Sequence, residues 1–186
     1  MLVDKGRKNM VVALFGSAVL SFAPLIYKLT ETNPVTGAFF RMIYALPILI
    51  LLVYFSKSLD IRSSKSRQLT FLAGLFLALD FLAYHTAIDY IGTGIATMIG
   101  NSQVIIVTLI RWKFLGEKPN KSILIVLPIV ILGLVLISGI WDIEAYGANP
   151  SYGVIGGVFA ATFYSTLLIL YGYSTQEKSP ATILNL

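Results

Sequence analysis

Arg41, Asp80 and His85 are the side chains in this sequence best placed to bind an ion or move a proton, because each interrupts a run of apolar residues. A charge held at that depth in a bilayer costs roughly 2.5–3.5 kcal/mol on insertion scales, so it must face protein or water. Arg41 lies about two helical turns into its run, where it would serve as a clamp for a substrate carboxylate or phosphate. The plainer role is an ion pair or hydrogen bonds to helix-end carbonyls. Asp80 is the deepest acid in the chain. Burial and a neighbouring cation push a carboxyl group's proton affinity in opposite directions, which suits a residue that exchanges a proton during a cycle. Pairing with Arg41 is its structural alternative. His85 precedes Asp89 by one helical turn, a spacing at which a carboxylate orients and charges an imidazole. That pair reads either as a proton gate or as a local hydrogen bond at the interface.

The stretch Gly92–Gly116 supplies a second set. At 100° per residue, Thr93, Thr97, Asn101, Thr108 and Arg111 fall within roughly 80° of one another, and Gly92, Ala96 and Gly100 form a small-residue stripe beside them. Asn101 offers donors and an acceptor without a charge, which suits a zwitterion or a sugar. Its alternative is an interhelical contact contributing about 1 kcal/mol. Thr97 and Thr108 are weaker candidates, because threonine hydroxyls bond back to their own helix. Gln103 points roughly 160° away from Asn101 and serves another contact. On the last apolar run, Tyr164 lines a cavity or packs, and Gly153, Gly157 and Ala161 form a packing stripe. Glu117 is expected to be solvated and paired with Lys113, Lys118 or Lys121. The chain has no cysteine, HExxH, GxSxG, P-loop or His/Asp metal cluster, so no catalysis, cofactor or metal is expected. With no ATP-binding domain, gradient-driven transport or exchange remains.

These residues are carried by six apolar runs near 20 residues each: Asn9–Tyr27, Val35–Phe55, Leu69–Asp89, Gly92–Leu115, Ser122–Trp141 and Tyr152–Tyr173. About 20 residues of helix rise about 30 Å, the thickness of the hydrocarbon core. The residues are 56% hydrophobic and 12% charged, with mean hydropathy +0.81, where a soluble domain carries roughly 25% charge. The fold class is therefore all-α and polytopic, with six transmembrane helices. The first run is longer than a signal-peptide core and lacks a cleavage pattern. Pro24, Pro47 and Pro128 are expected to kink their helices.

The net charge of +5 is a topology signal and not a nucleic-acid footprint. Lys5, Arg7, Lys8, Lys57, Arg62, Lys65, Arg67, Arg111, Lys113, Lys118, Lys121 and Lys178 all fall on one side. Lys28 alone lies on the other, and the loop DIEAYGANPS has two acids and no base. By the positive-inside rule both termini are cytoplasmic, in what is expected to be a prokaryotic inner membrane. The first run then points outward and the sixth inward. After the sixth run the chain turns apolar again at Ala181, and its last six residues are too few to cross a bilayer, as if a seventh helix were beginning.

Several motifs resemble the drug/metabolite transporter superfamily in its EamA-type repeat. They are Asn33-Pro34 followed by Phe39-Phe40-Arg41, the Gly92–Gly94 entry, Leu115-Gly116-Glu117, and Gly133 with Ile137-Ser138-Gly139. Tyr152-Gly153-Val154, Ala160-Ala161, Tyr164 and Ser179-Pro180 resemble the opening of a second repeat. The resemblance implies two inverted five-helix repeats, here a first repeat at 9–141 and the beginning of a second at 152–186. Such repeats hold their substrate between them near the midplane. One departure is Asn101-Ser102-Gln103, where members of the family often carry a proline in the middle of helix 4. Another is length, since helices 7 to 10 are absent from the chain.

The function expected is the N-terminal part of a secondary transporter of small metabolites or amphipathic compounds, working by alternating access, with export as one reading of its direction. Substrate contacts are expected at Arg41, Asp80, Thr97, Asn101 and Tyr164, with proton coupling at Asp80 and His85. The alternative is a truncated, nonfunctional or structural membrane fragment. A half-size pump resembling small multidrug transporters is disfavoured, since those carry a glutamate in helix 1 and Met10–Tyr27 has no acid. The partners expected are a small-molecule substrate, the lipid bilayer, and either a second copy or a missing second half, with no nucleic acid.

Overall fold

The computed structural model describes residues 2–56, 63–137 and 149–175. The side chains of Lys57, Arg62 and Lys178, the Ser138-Gly139 pair, Trp141, the Ser179-Pro180 pair and the start of a seventh helix lie outside the described residues. Six helices make up the rest: α1 Leu2–Leu29, α2 Pro34–Ser56, α3 Ser64–Gly100, α4 Gln103–Leu115, α5 Lys121–Ile137 and α6 Pro150–Ser174. There is no strand among the described residues. Met10–Leu29, Pro34–Phe55, Ser64–Leu115 and Pro150–Ser174 are long and apolar enough to cross a membrane, and Lys121–Leu136 is a shorter apolar helix. The protein is an all-α polytopic membrane protein.

Residues 1–32 and 33–186 form two compact units. In the first, α1 contains Pro24 and ends where Thr30 Oγ1 donates to the Tyr27 carbonyl at 2.6 Å. In the second, α2 begins at Asn33-Pro34 for a physical reason. The Asn33 side chain accepts from the Val35 N–H at 2.8 Å, and Pro34 sits in the first turn, where no intrahelical N–H is needed. Ser63 caps α3 in the same way, accepting from Ser66 N–H at 3.1 Å.

The third and fourth apolar runs form one helical stretch that folds back on itself. Gly92 has φ 76° and ψ 166°, a combination that side chains exclude. The hydroxyls of Tyr84 and Thr97 meet at 2.6 Å, although 13 residues of straight helix would rise about 20 Å. Residues 64–91 and 93–100 are therefore the two arms of a hairpin turned at Gly92.

A second interruption corrects the expected continuous helix over Gly92–Leu115. At Asn101 and Ser102 the hydrogen bonds tighten from four-residue to three-residue spacing, with Ser102 N–H donating to Ile99 O at 3.0 Å and Ile105 N–H to Ser102 O at 2.9 Å. Each 3₁₀ step turns about 20° further than an α-helical one, so the interruption rotates α4 about its axis relative to the arm that carries Thr93 and Thr97. The helix is interrupted without a proline.

α6 packs against both arms of the hairpin. Gly153 meets Tyr90 and Ile91, Gly156 meets Ala83 and Ala87, Phe163 meets Phe76, and Ser66 Oγ donates to the Ser174 carbonyl at 2.9 Å. These contacts run antiparallel to the first arm. Along the other side, Gly157 meets Ile99, and Ser165 Oγ reaches the Gln103 carbonyl at 3.2 Å, a parallel arrangement. A Cβ on Gly153 would lie 2.5 Å from Ile91 Cγ2, and one on Gly157 2.8 Å from Ile99 Cγ2. The small residues of α6 thus allow backbone-close packing, as membrane helices require where water supplies no drive for association. The buried core, including Ala87, Ile88, Ala96, Ala160 and Ala161, lies along this seam.

Candidate functional site

Four ionisable side chains converge beside the seam. The first arm of α3 presents Asp80, Phe81, Tyr84 and His85 at i, i+1, i+4 and i+5, which places them on one side of the helix. Asp80 is 8% exposed and His85 1%. From α2 comes Arg41, half-buried, with its Cζ 4.1 Å from the centre of the Phe81 ring. From the second arm comes Thr97.

Hydrogen chemistry fixes one direction in this cluster. Thr97 Oγ1 donates its single proton to the Thr93 carbonyl at 2.7 Å, so the 2.6 Å contact with Tyr84 requires the phenol to donate. The bond ties the two arms together directly above the Gly92 turn. Arg41, Asp80 and Tyr84 act on one another through space, and Arg41 also acts on His85. No direct ion pair joins Arg41 to Asp80 among the described residues. Asp80 and Arg41 therefore do not close into a contact ion pair, and the guanidinium lies over an aromatic face. The His85 imidazole stacks on the Phe81 ring, with centroids 6.2 Å apart and planes 12° from parallel. It is buried, whereas Asp89, one turn further along, is exposed.

Arg41, Asp80, His85 and Thr97 are thus brought together. Asn101 and Tyr164 are not tied to them. Asn101 is exposed at the helix interruption, and Tyr164 is half-buried on α6 next to Phe163, whose ring faces Phe76. Neither makes a hydrogen bond to the cluster. Thr108 bonds back to the Val104 carbonyl at 2.7 Å. Phe81 and Tyr84 are the members that the sequence did not single out. Their signal was position, since they fall one residue and one turn after Asp80. Among the described residues no group of three or more His, Cys, Asp or Glu could hold a metal ion.

Glu117 also needs correction. Its partner is Arg111, with Arg111 Nε 2.8 Å from Oε2 and Nη2 donating to Oε1 at 3.2 Å, and not one of the lysines. Gly116, at φ 70°, turns the chain at the end of α4 and lets Glu117 swing back.

An all-α chain with membrane-length apolar helices, small-residue seams and a cluster of charges inside its apolar helices is a polytopic membrane protein. The chain belongs to the EamA-like transporter family, whose sequence pattern matches residues 7–139. It is 30% identical over 176 residues to a protein of Helicobacter pylori (strain ATCC 700392 / 26695) described as an uncharacterized transporter. The match takes in 88% of this chain and 58% of that relative, so the chain spans less than two thirds of the relative's length. No solved structure matches.

Proposed function

We propose that this chain supplies the first inverted repeat, and the opening helix of the second, of a secondary transporter that moves small polar or amphipathic metabolites by alternating access. The observation that carries this reading is the cluster of Arg41, Asp80, Tyr84 and His85 inside a membrane protein, since intramembrane ionisable groups are costly and are kept where substrates or protons pass. Arg41 offers an anion clamp, Asp80 and His85 carry the coupling proton, and Thr97, Asn101 and Tyr164 line the path as it opens. The relative described as a transporter supports transport in place of catalysis. Both termini face the cytoplasm of a prokaryotic cell, as the loop charges favour.

The test is uptake into proteoliposomes, with and without an imposed pH gradient, over a panel of carboxylated, zwitterionic and neutral metabolites. It is run on the intact gene product and on residues 1–186. Gradient-dependent uptake that Asp80→Asn abolishes, with protein yield intact, is expected for the intact product. Uptake unchanged in Asp80→Asn would remove Asp80 from coupling. A second reading, favoured by the 58% coverage of the relative, is that the 186-residue chain is a membrane fragment without transport of its own. It predicts no uptake by residues 1–186 for any solute. Orientation is tested by Asn149→Cys in this cysteine-free chain. Labelling from outside by an impermeant maleimide is expected, and labelling only after permeabilisation would reverse the assignment.

A further inference from the structure

We propose that Phe81 is a positioning residue: its ring holds the Arg41 guanidinium off the Asp80 carboxylate and leaves the guanidinium N–H edge open to a carboxylate group of the substrate. The ligand half of this inference rests on the transporter reading above; the positioning half does not. Opposite charges in a medium of low dielectric attract far more strongly than in water, and an arginine side chain is long and flexible enough to close on a nearby acid. Here it has not closed. Arg41 and Asp80 form no ion pair among the described residues, while Arg41 Cζ sits 4.1 Å from the Phe81 ring centre.

Stacking on a ring occupies the flat face of a guanidinium and spares its five in-plane N–H donors, the edge that recognises a carboxylate through paired hydrogen bonds. The ring is itself braced. His85, 1% exposed, stacks on it at 6.2 Å, one turn further along the same helix. Replacing the π face by an aliphatic chain removes the hold on Arg41 and leaves only the pull of Asp80.

The experiment measures phenylglyoxal labelling of Arg41 in the purified full chain in lipid nanodiscs, resolved by peptide mass mapping, with the exposed Arg111 as internal reference. Phe81→Met keeps the side chain apolar and similar in volume, and Phe81→Tyr keeps the π face. Phe81→Met should slow Arg41 labelling by roughly 5- to 30-fold, the range that a desolvated cation–π contact supports. Phe81→Tyr should label like the parent, and Asp80→Asn added to Phe81→Met should restore the parent rate. Labelling of Phe81→Met at or above the parent rate overturns the positioning role, as does a slow rate that Asp80→Asn does not relieve. Benzoate serves as the carboxylate probe. Its protection of Arg41 in the parent protein supports the ligand half, and absence of protection alongside the Phe81→Met effect overturns that half alone.

Discussion

Arg111 and Glu117 meet at 2.8 Å at an exposed helix end, whereas Arg41 and Asp80 lie within the bundle and make no direct contact among the described residues. The same two charge types are thus handled in opposite ways. At the surface, water has already stabilised both ions, so closing the pair gains little, and a short left-handed turn at Gly116 is enough to form it. Inside, neither ion is well hydrated, and direct closure would neutralise the very groups a substrate could recognise. The interior pair is kept apart by an aromatic ring. Contact distance is therefore a poor guide to which arginine matters most to the molecule.

The sharpest break in that comparison is Arg41→Met. It leaves the Asp80 carboxylate buried without its counter-charge, and loss of about 3 kcal/mol is expected, the lower end for breaking a buried pair because the two do not touch. Chemical denaturation in mixed micelles measures it. Adding Asp80→Asn should recover most of the loss, and a double variant no more stable than Arg41→Met would show that the two charges are not coupled.

Gly92→Ala comes next. Asp80 of the interior couple lies on a hairpin whose turn uses φ 76° and ψ 166°, and an alanine there costs about 1–3 kcal/mol. Because no atom lies within 4 Å of the missing Cβ, the whole effect is backbone strain and not collision. Gly94→Ala, a glycine with equally open surroundings and no positive φ, is the matched control and should be nearly silent.

How much of this was legible beforehand follows from which residues depend on neighbours far along the chain. The apolar runs, the Asn33-Pro34 helix start and the close packing by Gly153 and Gly157 rest on local chemistry or on side-chain size, and both can be read from one sequence. Arg41 and Asp80 stood out because a charge in an apolar run needs no partner to be noticed. Phe81 did not, since a phenylalanine in a membrane helix looks the same whether it meets lipid or a guanidinium. Tyr84 became a site residue only when the chain turned at Gly92 and carried Thr97 back beside it. The interruption at Asn101-Ser102 was hidden for a different reason. Neither residue is a strong helix breaker, and a shift to three-residue hydrogen bonds is chosen by the packing around it.

Tyr84→Phe tests that arm-to-arm bond with a smaller expected effect. The lost phenol proton should cost about 1 kcal/mol. Thr97 keeps its own bond to the Thr93 carbonyl, so no donor is left stranded. In a double-mutant cycle with Thr97→Val, the coupling energy isolates the bond between the arms. A coupling near zero would mean that Gly92 and the α6 seam hold the hairpin closed without it.

Glu117→Gln should have the smallest effect of the series. Both partners of the Arg111 pair are more than half exposed, at 52% and 55%, so the expected change is about 0–1 kcal/mol and should shrink as salt is added. The same denaturation assay, repeated at low and high ionic strength, reads both quantities. A salt-insensitive loss as large as that of Arg41→Met would erase the contrast between the two couples. It would place Glu117 in the working part of the protein, at the junction where the end of α4 meets the loop to α5.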